Sequence, residues 1–339
     1  MSLEKFADVR QLEWNQPQLV SGNITESVLA TLEFNALTDF SHANITSETT
    51  PGQFLELGKN PGLGVRSLNT RGITGKGVVA AIIDQPIFFD HPEFTGKIIN
   101  YHTLDPEHQG SMHGPAVTSL FVGATVGIAP DTRLYYAASP TYYGKESDEV
   151  DSLLWLIEQN KLLPADQKIR VVSVSAAPTS REHRATSGSG WSEAVTLANQ
   201  EGILVLDCTS ELNIIGPGYS DYHNPDDPAS FTPGYPNVNN HNFSRNLIHA
   251  PVSPRTYAEQ YKEGEYGYTY SGSGGLSWAI PYAAGVLCLG WQIAPNFTYK
   301  QMLKILFDTA YIKEGVKIIN PVAFIEKLER YPQGVPPPL

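Results

Sequence analysis

Gly75-Lys76-Gly77-Val78-Val79-Ala80-Ala81-Ile82-Ile83-Asp84 is the stretch on which the fold turns. A glycine turn leads into a continuous apolar run, and the run stops at a carboxylate. A half-exposed strand would alternate apolar and polar residues. An unbroken β-type run is what a central parallel strand needs, because helices cover both of its faces. In open parallel sheets, functional groups gather at the carboxyl ends of the strands. A carboxylate just past a buried strand is costly unless it has partners. Asp84 is therefore either a structural cap or part of a site.

Outward from this strand, helical and strand signals alternate. Ala116 to Val122 reads as a short buried helix closed by Gly123, with His113-Gly114 at the loop before it. Arg133 to Ala138, Ile169 to Ser175 and Ile203 to Leu206 read as buried strands. Glu149 to Asn160 is amphipathic at helical spacing, and Trp191 to Gln200 is a second helix closed near Gly202. Leu247 to Ala250 is a short strand; Tyr299 to Ala310 and Val322 to Leu328 are helical. This alternation implies an α/β fold: a doubly wound, mostly parallel sheet flanked by helices, in a single domain.

The remaining segments carry weaker signals. Residues 1–71 read as a lead-in packed on the main domain, and as a candidate short pro-like segment. Within it, Glu26 to Phe34 predicts a helix with Thr25 as N-cap, and Gly52 to Leu57 begins another. Residues 212–245 read as a long excursion of loops, and Tyr261 to Gly274 shows little propensity for regular structure. The main domain is placed at 72–330, and 331–339 is a loose Pro-rich tail.

Composition narrows the class of function. The chain has 339 residues, 41% hydrophobic and 17% charged, with a formal net charge of −12. That is a globular balance, and the charge argues against a partner that is nucleic acid or an anionic membrane. Two cysteines, Cys208 and Cys288, lie in apolar stretches and read as buried thiols. No CxxC or HExxH pattern points to zinc. No apolar leader follows Met1-Ser2-Leu3-Glu4-Lys5, so the expectation is a cytoplasmic protein, or a secreted one if a leader has been trimmed.

A second decisive stretch is Gly275-Leu276-Ser277-Trp278-Ala279-Ile280-Pro281-Tyr282-Ala283-Ala284-Gly285. It opens an uncharged run to Trp291 that reads as a buried helix. Pro281, Gly285, Gly290 and Gln292 interrupt it, which favours a core helix over a membrane span. Ser277 falls at the helix start, where unpaired N–H groups carry partial positive charge. It is either an N-cap or a nucleophile beside oxyanion donors. A serine hydroxyl attacks well only when a base takes its proton, and an imidazole held by a buried carboxylate is such a base. Asp84, His113 and Ser277 supply one of each.

With these motifs in hand, the chain resembles the subtilisin-like serine proteases, the subtilases. Gly75 to Asp84 is similar to the family's strand leading to its aspartate, and His91-Pro92-Glu93-Phe94 to the His-Pro that follows. His113-Gly114-Pro115-Ala116-Val117, with Gly127-Ile128-Ala129-Pro130, resembles the histidine helix and its turn. Gly275-x-Ser277-x-Ala279-x-Pro281 resembles the serine motif, and Asp308-Thr309-Ala310 with Ile319-Asn320-Pro321 resembles the C-terminal helices. The Asp, His, Ser chain order is that of subtilisin. The resemblance spans about 72–328. It implies a subtilisin-like fold and a serine endopeptidase acting on a peptide or protein substrate. Asp84, His113 and Ser277 are the implied catalytic residues. No cofactor is required, and no catalytic metal is implied. A structural calcium ion is a candidate, with Ser220-Asp221-Tyr222-His223-Asn224-Pro225-Asp226-Asp227 rich in oxygen ligands.

The chain also departs from the family. Gln85-Pro86 follows the aspartate, Pro115 follows His113-Gly114, and Trp278 follows the serine. The family's side-chain oxyanion donor is an asparagine after a strand. Here Asp207-Cys208-Thr209-Ser210-Glu211-Leu212-Asn213 occupies that turn. Direct alignment places Glu211 there, a two-residue shift brings in Asn213, and the Thr209 or Ser210 hydroxyl is a further donor. The segment expected to line substrate is Ser175-Ala176-Ala177, followed by Pro178. These departures keep open an alternative, a catalytically impaired subtilase-fold module that binds peptide. An α/β-hydrolase elbow is disfavoured, because Ala279 stands where Gly-x-Ser-x-Gly closes with glycine.

Overall fold

A computed structural model describes residues 3–12, 19–104, 110–140, 146–178, 190–209, 213–238 and 246–331. Strand Val79–Asp84 is the middle of a five-stranded sheet, between Arg133–Ala138 and Ile169–Val174. Ile98–Thr103 and Leu204–Leu206 are its edges, and every pairing is parallel. The chain winds from the centre to one side and then crosses to the other. Asp84 therefore ends the strand beside the point where the winding reverses, where such sheets place their sites.

The apolar run is explained residue by residue. Ala80 and Ile82 join a core with Val117, Leu120, Ala283 and Leu287 of the helices on one face. Val79, Ala81 and Ile83 join a second core with Leu153, Leu156, Trp191 and Ala194 on the other. A strand alternates its side chains between faces, so a strand covered twice must be apolar throughout.

The helix expected after Ser277 runs from Leu276 to Ile293 and is mostly buried, although its length and apolarity match those of a membrane span. Its Gln292 is not a mere interruption. The Gln292 Oε1 accepts from the backbone N–H groups of Thr74, Gly75 and Lys76 at 2.7, 2.7 and 3.2 Å. This ties the end of the serine helix to the turn that launches the aspartate strand.

Within this frame the edge strand Ile98–Thr103, half-buried throughout, was not expected from the sequence, and further departures lie outside it. The predicted helix Glu26 to Phe34 stops at Leu29, and Glu33–Asn35 is a strand. The Gly-Tyr-Glu-rich stretch is a hairpin, Arg255–Lys262 with Glu265–Ser271, to which Glu33–Asn35 adds an antiparallel third strand. The loop excursion contains Ile215–Tyr219, parallel to Ile248–Ser253 in a second sheet. The polar stretch before Thr46 forms Asp39–Thr46, paired with Leu19–Thr25. None of these carries a long apolar run. Each gains its order from pairing and packing: Phe34, Val20, Ile24 and Tyr270 join a separate core with Phe54, and Ile215, Ile248, Ala250 and Val252 join the main one. The tail beyond residue 331 lies outside the described residues.

Candidate active site

Asp84 is fully buried at the end of its strand. Its Oδ1 accepts from the Gln85 backbone N–H at 2.8 Å and meets His113 Nδ1 at 2.7 Å. His113 opens helix His113–Val122, whose Gly114 N–H donates to the Ser111 hydroxyl at 3.1 Å. The His-Gly dipeptide has a steric cause. A Cβ on residue 114 would lie 2.4 Å from the Gln85 carbonyl oxygen and 2.9 Å from the Tyr136 hydroxyl. Only glycine lets the helix approach the aspartate turn closely enough for that imidazole–carboxylate contact.

The serine motif is assembled differently from its N-cap reading. Gly275 is the N-cap, with extended backbone at φ −88° and ψ 177°, and Ser277 is in the first turn. Its N–H is therefore one of the amides without an intrahelical acceptor. The Ser277 hydroxyl donates to the Ser175 carbonyl at 3.3 Å, and the Ser175 hydroxyl donates back to the Ser277 carbonyl at 2.8 Å. Trp278, the next residue, sets its ring 5.4 Å from that of His113. The two predicted motifs, on helices far apart in sequence, thus converge.

Trp278 in turn packs against Tyr257, with ring centroids 5.0 Å apart and the planes tilted by 48°, and the Tyr257 hydroxyl donates to Glu33. The N-terminal lead-in therefore reaches the wall behind the histidine. Sequence reading flagged Trp278 only as a departure. It missed Tyr257, because no signal connected the hairpin to the site. A Cβ on Gly274 would lie 2.1 Å from the Trp278 ring and 1.9 Å from the Val252 carbonyl, so glycine there lets the indole seat.

The other predicted residues fall as follows. Ser175, expected to line substrate, donates its hydroxyl to the Ser277 carbonyl. Ala176 and Ala177 are half-buried, and the Ala176 carbonyl accepts from Cys208 N–H at 2.9 Å. Asn213 was the candidate oxyanion donor. Its amide donates to the Ile215 carbonyl at 2.6 Å and accepts from the Ile215 N–H at 2.7 Å, which holds it on its own backbone. The Thr209 hydroxyl donates to Asp207 at 2.6 Å. Ser210 and Glu211 lie outside the described residues. Burial pushes the Cys208 and Cys288 thiols well up, the opposite of an activated nucleophile.

The acidic loop does not fit a calcium ion. Asp221 accepts from the His223 N–H, Asp226 from the Gly64 N–H, and Asp227 from the Ala229 N–H, at 2.9, 2.8 and 2.8 Å. These carboxylates cap turns and fasten the loop to the Asn60–Gly64 turn. Among the described residues, no group of three His, Cys, Asp or Glu side chains gathers as a metal site.

Comparison with known proteins bears on the family and the fold. Subtilisin NAT of Bacillus subtilis subsp. natto is 23% identical over 254 residues, 72% of this chain and 63% of its own length. Serine protease AprX of Bacillus subtilis (strain 168) is 25% identical over 280 residues, 70% of this chain and 62% of its own. The chain thus spans under two thirds of the length of both. A solved structure described as "Structural basis of subtilase cytotoxin SubAB assembly" superposes with a TM-score of 0.63 at 14% identity, covering 80% of this chain and 95% of that one. At that identity the likeness speaks for the fold alone. The model of the subtilase family matches residues 75–330, most of the chain, and with it the protein belongs to the subtilase family of serine proteases.

Proposed function

We propose that the chain is a serine endopeptidase that hydrolyses peptide bonds of a peptide or protein substrate through Asp84, His113 and Ser277. The observation that carries this reading is the 2.7 Å contact between buried Asp84 and His113 Nδ1. It favours the imidazole tautomer with the proton on Nδ1 and the basic lone pair on Nε2. Ser277 Oγ attacks the scissile carbonyl carbon while His113 accepts the hydroxyl proton. The same imidazole then donates that proton to the leaving amine, and an acyl-enzyme remains for water to release. Asp84 stabilises the imidazolium formed in between. The Ser277 N–H, at the positive end of its helix, faces the developing oxyanion.

Fluorophosphonate labelling followed by mass spectrometry of the modified peptide tests the reading. The expected result is an adduct on Ser277 in the wild type, lost in His113→Ala. A folded wild type without adduct refutes it and leaves a peptide-binding module.

A further inference from the structure

The first residue of strand Arg255–Lys262 is a buried cation without a counter-charge. Arg255 is 1% exposed and is among the largest fully buried side chains. A guanidinium carries N–H donors on all three of its nitrogens, and burying its charge is costly unless it is both paired and hydrogen-bonded. Here Nη2 donates to the Val126 carbonyl at 2.7 Å. Nε and Nη1 have no acceptor among the described residues, and no carboxylate there pairs with the group. Burial and the repulsion of Arg66 push the guanidinium down to about 10, which still leaves it charged at neutral pH.

Two turns enclose this charge. The Thr256 N–H donates to the Gly58 carbonyl at 2.8 Å, which lays the strand against the turn at Gly58 and Lys59. Arg66 donates to the Lys59 carbonyl at 2.9 Å and to the Thr125 carbonyl at 2.6 Å. The two guanidiniums therefore hold successive carbonyls of one turn, Arg66 at exposed Thr125 and Arg255 at buried Val126. Glu93 stands on the amide side of that turn, where Thr125, Val126 and Tyr268 donate to it. The carbonyl side thus gathers positive charge, in a chain whose net charge is −12. Arg66 is exposed, which gives a small ion a route from solvent to the buried charge behind it.

We propose that Arg255 binds a small monovalent anion of the halide class, chloride in solution, with Arg66 at its entrance. A water molecule accepts from Nε or Nη1 but leaves the charge unbalanced; an anion does both. Arg66 keeps its charge in water, so one buried charge is left to balance, which favours a monoanion over phosphate or sulfate. The seat lies between packed turns, which favours a monatomic ion. Bound there, the ion fastens the turn after the histidine helix to the strand and to the Gly58 turn. The proposal does not depend on the hydrolase reading.

The test melts the full chain at constant ionic strength while chloride replaces gluconate. The wild type gains about 2–5 °C in melting temperature at about 200 mM chloride, as for a ligand that binds only the folded state. Arg255→Met keeps an apolar stem and removes the charge, and its melting temperature does not respond to chloride. Wild-type crystals soaked in bromide show an anomalous peak within about 3.5 Å of the Arg255 guanidinium. A wild type that melts alike in the two salts overturns the proposal. So does a chloride response kept in Arg255→Met. If that variant does not fold, the bromide position decides: a peak at Arg66 alone, or only water at Nε and Nη1, overturns it.

Discussion

The parallel sheet around Asp84 and the antiparallel sheet around Phe34 meet the same helix start by different physics. In the parallel sheet, each central strand is buried on both faces, and its apolar run is sufficient to place it. In the antiparallel sheet, Glu33–Asn35 is only three residues long, and the hairpin strands are rich in tyrosine and glutamate and carry no continuous apolar run. Their order comes from Phe34 packed on Tyr270, at 5.0 Å between ring centroids, and from the buried Asn35 amide donating to Glu259 at 2.9 Å. The first region carries the candidate catalytic residues at strand and helix ends. The second braces it from behind, through Tyr257 and Trp278. A change in the first should cost activity with little stability, and a change in the second the reverse.

The largest effect tests the first half of that statement. Asp84→Asn should lower kcat by about 10⁴-fold, the size seen when a triad aspartate is neutralised in other serine proteases. The melting temperature should barely move; a large drop would mean that Asp84 is mainly a structural cap. Phe34→Ala tests the second half. Chemical denaturation should show about 3–5 kcal/mol of lost stability, the usual cost of emptying a buried phenylalanine site. Far-UV circular dichroism and tryptophan fluorescence should report one coincident transition. An earlier, separate transition would show that the N-terminal sheet unfolds as its own unit.

Gly114→Ala lies between the two regimes. Its methyl group meets the Gln85 carbonyl, and overpacking of this kind costs about 1–3 kcal/mol. It should also slow fluorophosphonate labelling, because the imaginary Cβ pushes His113 from Asp84; an unchanged labelling rate would show the helix can yield without moving the imidazole.

Glu93 joins the two regions. It accepts from the Thr125 N–H at 2.8 Å, the Val126 N–H at 3.3 Å and the Tyr268 hydroxyl at 2.7 Å. Burial raises its carboxyl, but these donors, with the Thr125 hydroxyl, prevail and hold it below its ordinary value. A lowered folded-state value gives stability that is present above the unfolded value and lost as pH falls through the folded one. Glu93→Gln should lose about 1–3 kcal/mol at pH 7 and flatten the acid limb of the melting profile. A limb as steep as wild type would assign acid unfolding to other carboxylates. The smallest expected effect is that of chelator. Since Asp221, Asp226 and Asp227 cap turns, melts with and without strong chelator should coincide, and a downward shift would reinstate a calcium site.

Particular residues show where legibility ended. Asp84, His113 and Ser277 stood out as candidates because each lies at the edge of an apolar element, flanked by glycine or turn residues. Strands 79–84, 133–138, 169–174 and 204–206 were legible because burial leaves an apolar run along the chain, whereas the edge strand Ile98–Thr103, half-buried throughout, left none. Glu26 to Phe34 read as a helix because local propensity has no knowledge of the hairpin that recruits Phe34 into a strand. The hairpin itself was invisible, since tyrosines packed between sheet and helix do not alternate as a half-solvated strand does.

By itself, the sequence determined four of the five strands of the parallel sheet and the burial of the helix that Ser277 opens. Those follow from apolar periodicity and from chemical type, which are properties of neighbours along the chain. Only the tertiary structure decided that Asn213 turns to Ile215, that Ser175 pairs with Ser277, that the acidic loop caps turns, and that Tyr257 backs Trp278. A hydrogen-bonding side chain can satisfy itself with any partner within about 3 Å, and which partner comes that close is set by the packing of segments distant in sequence.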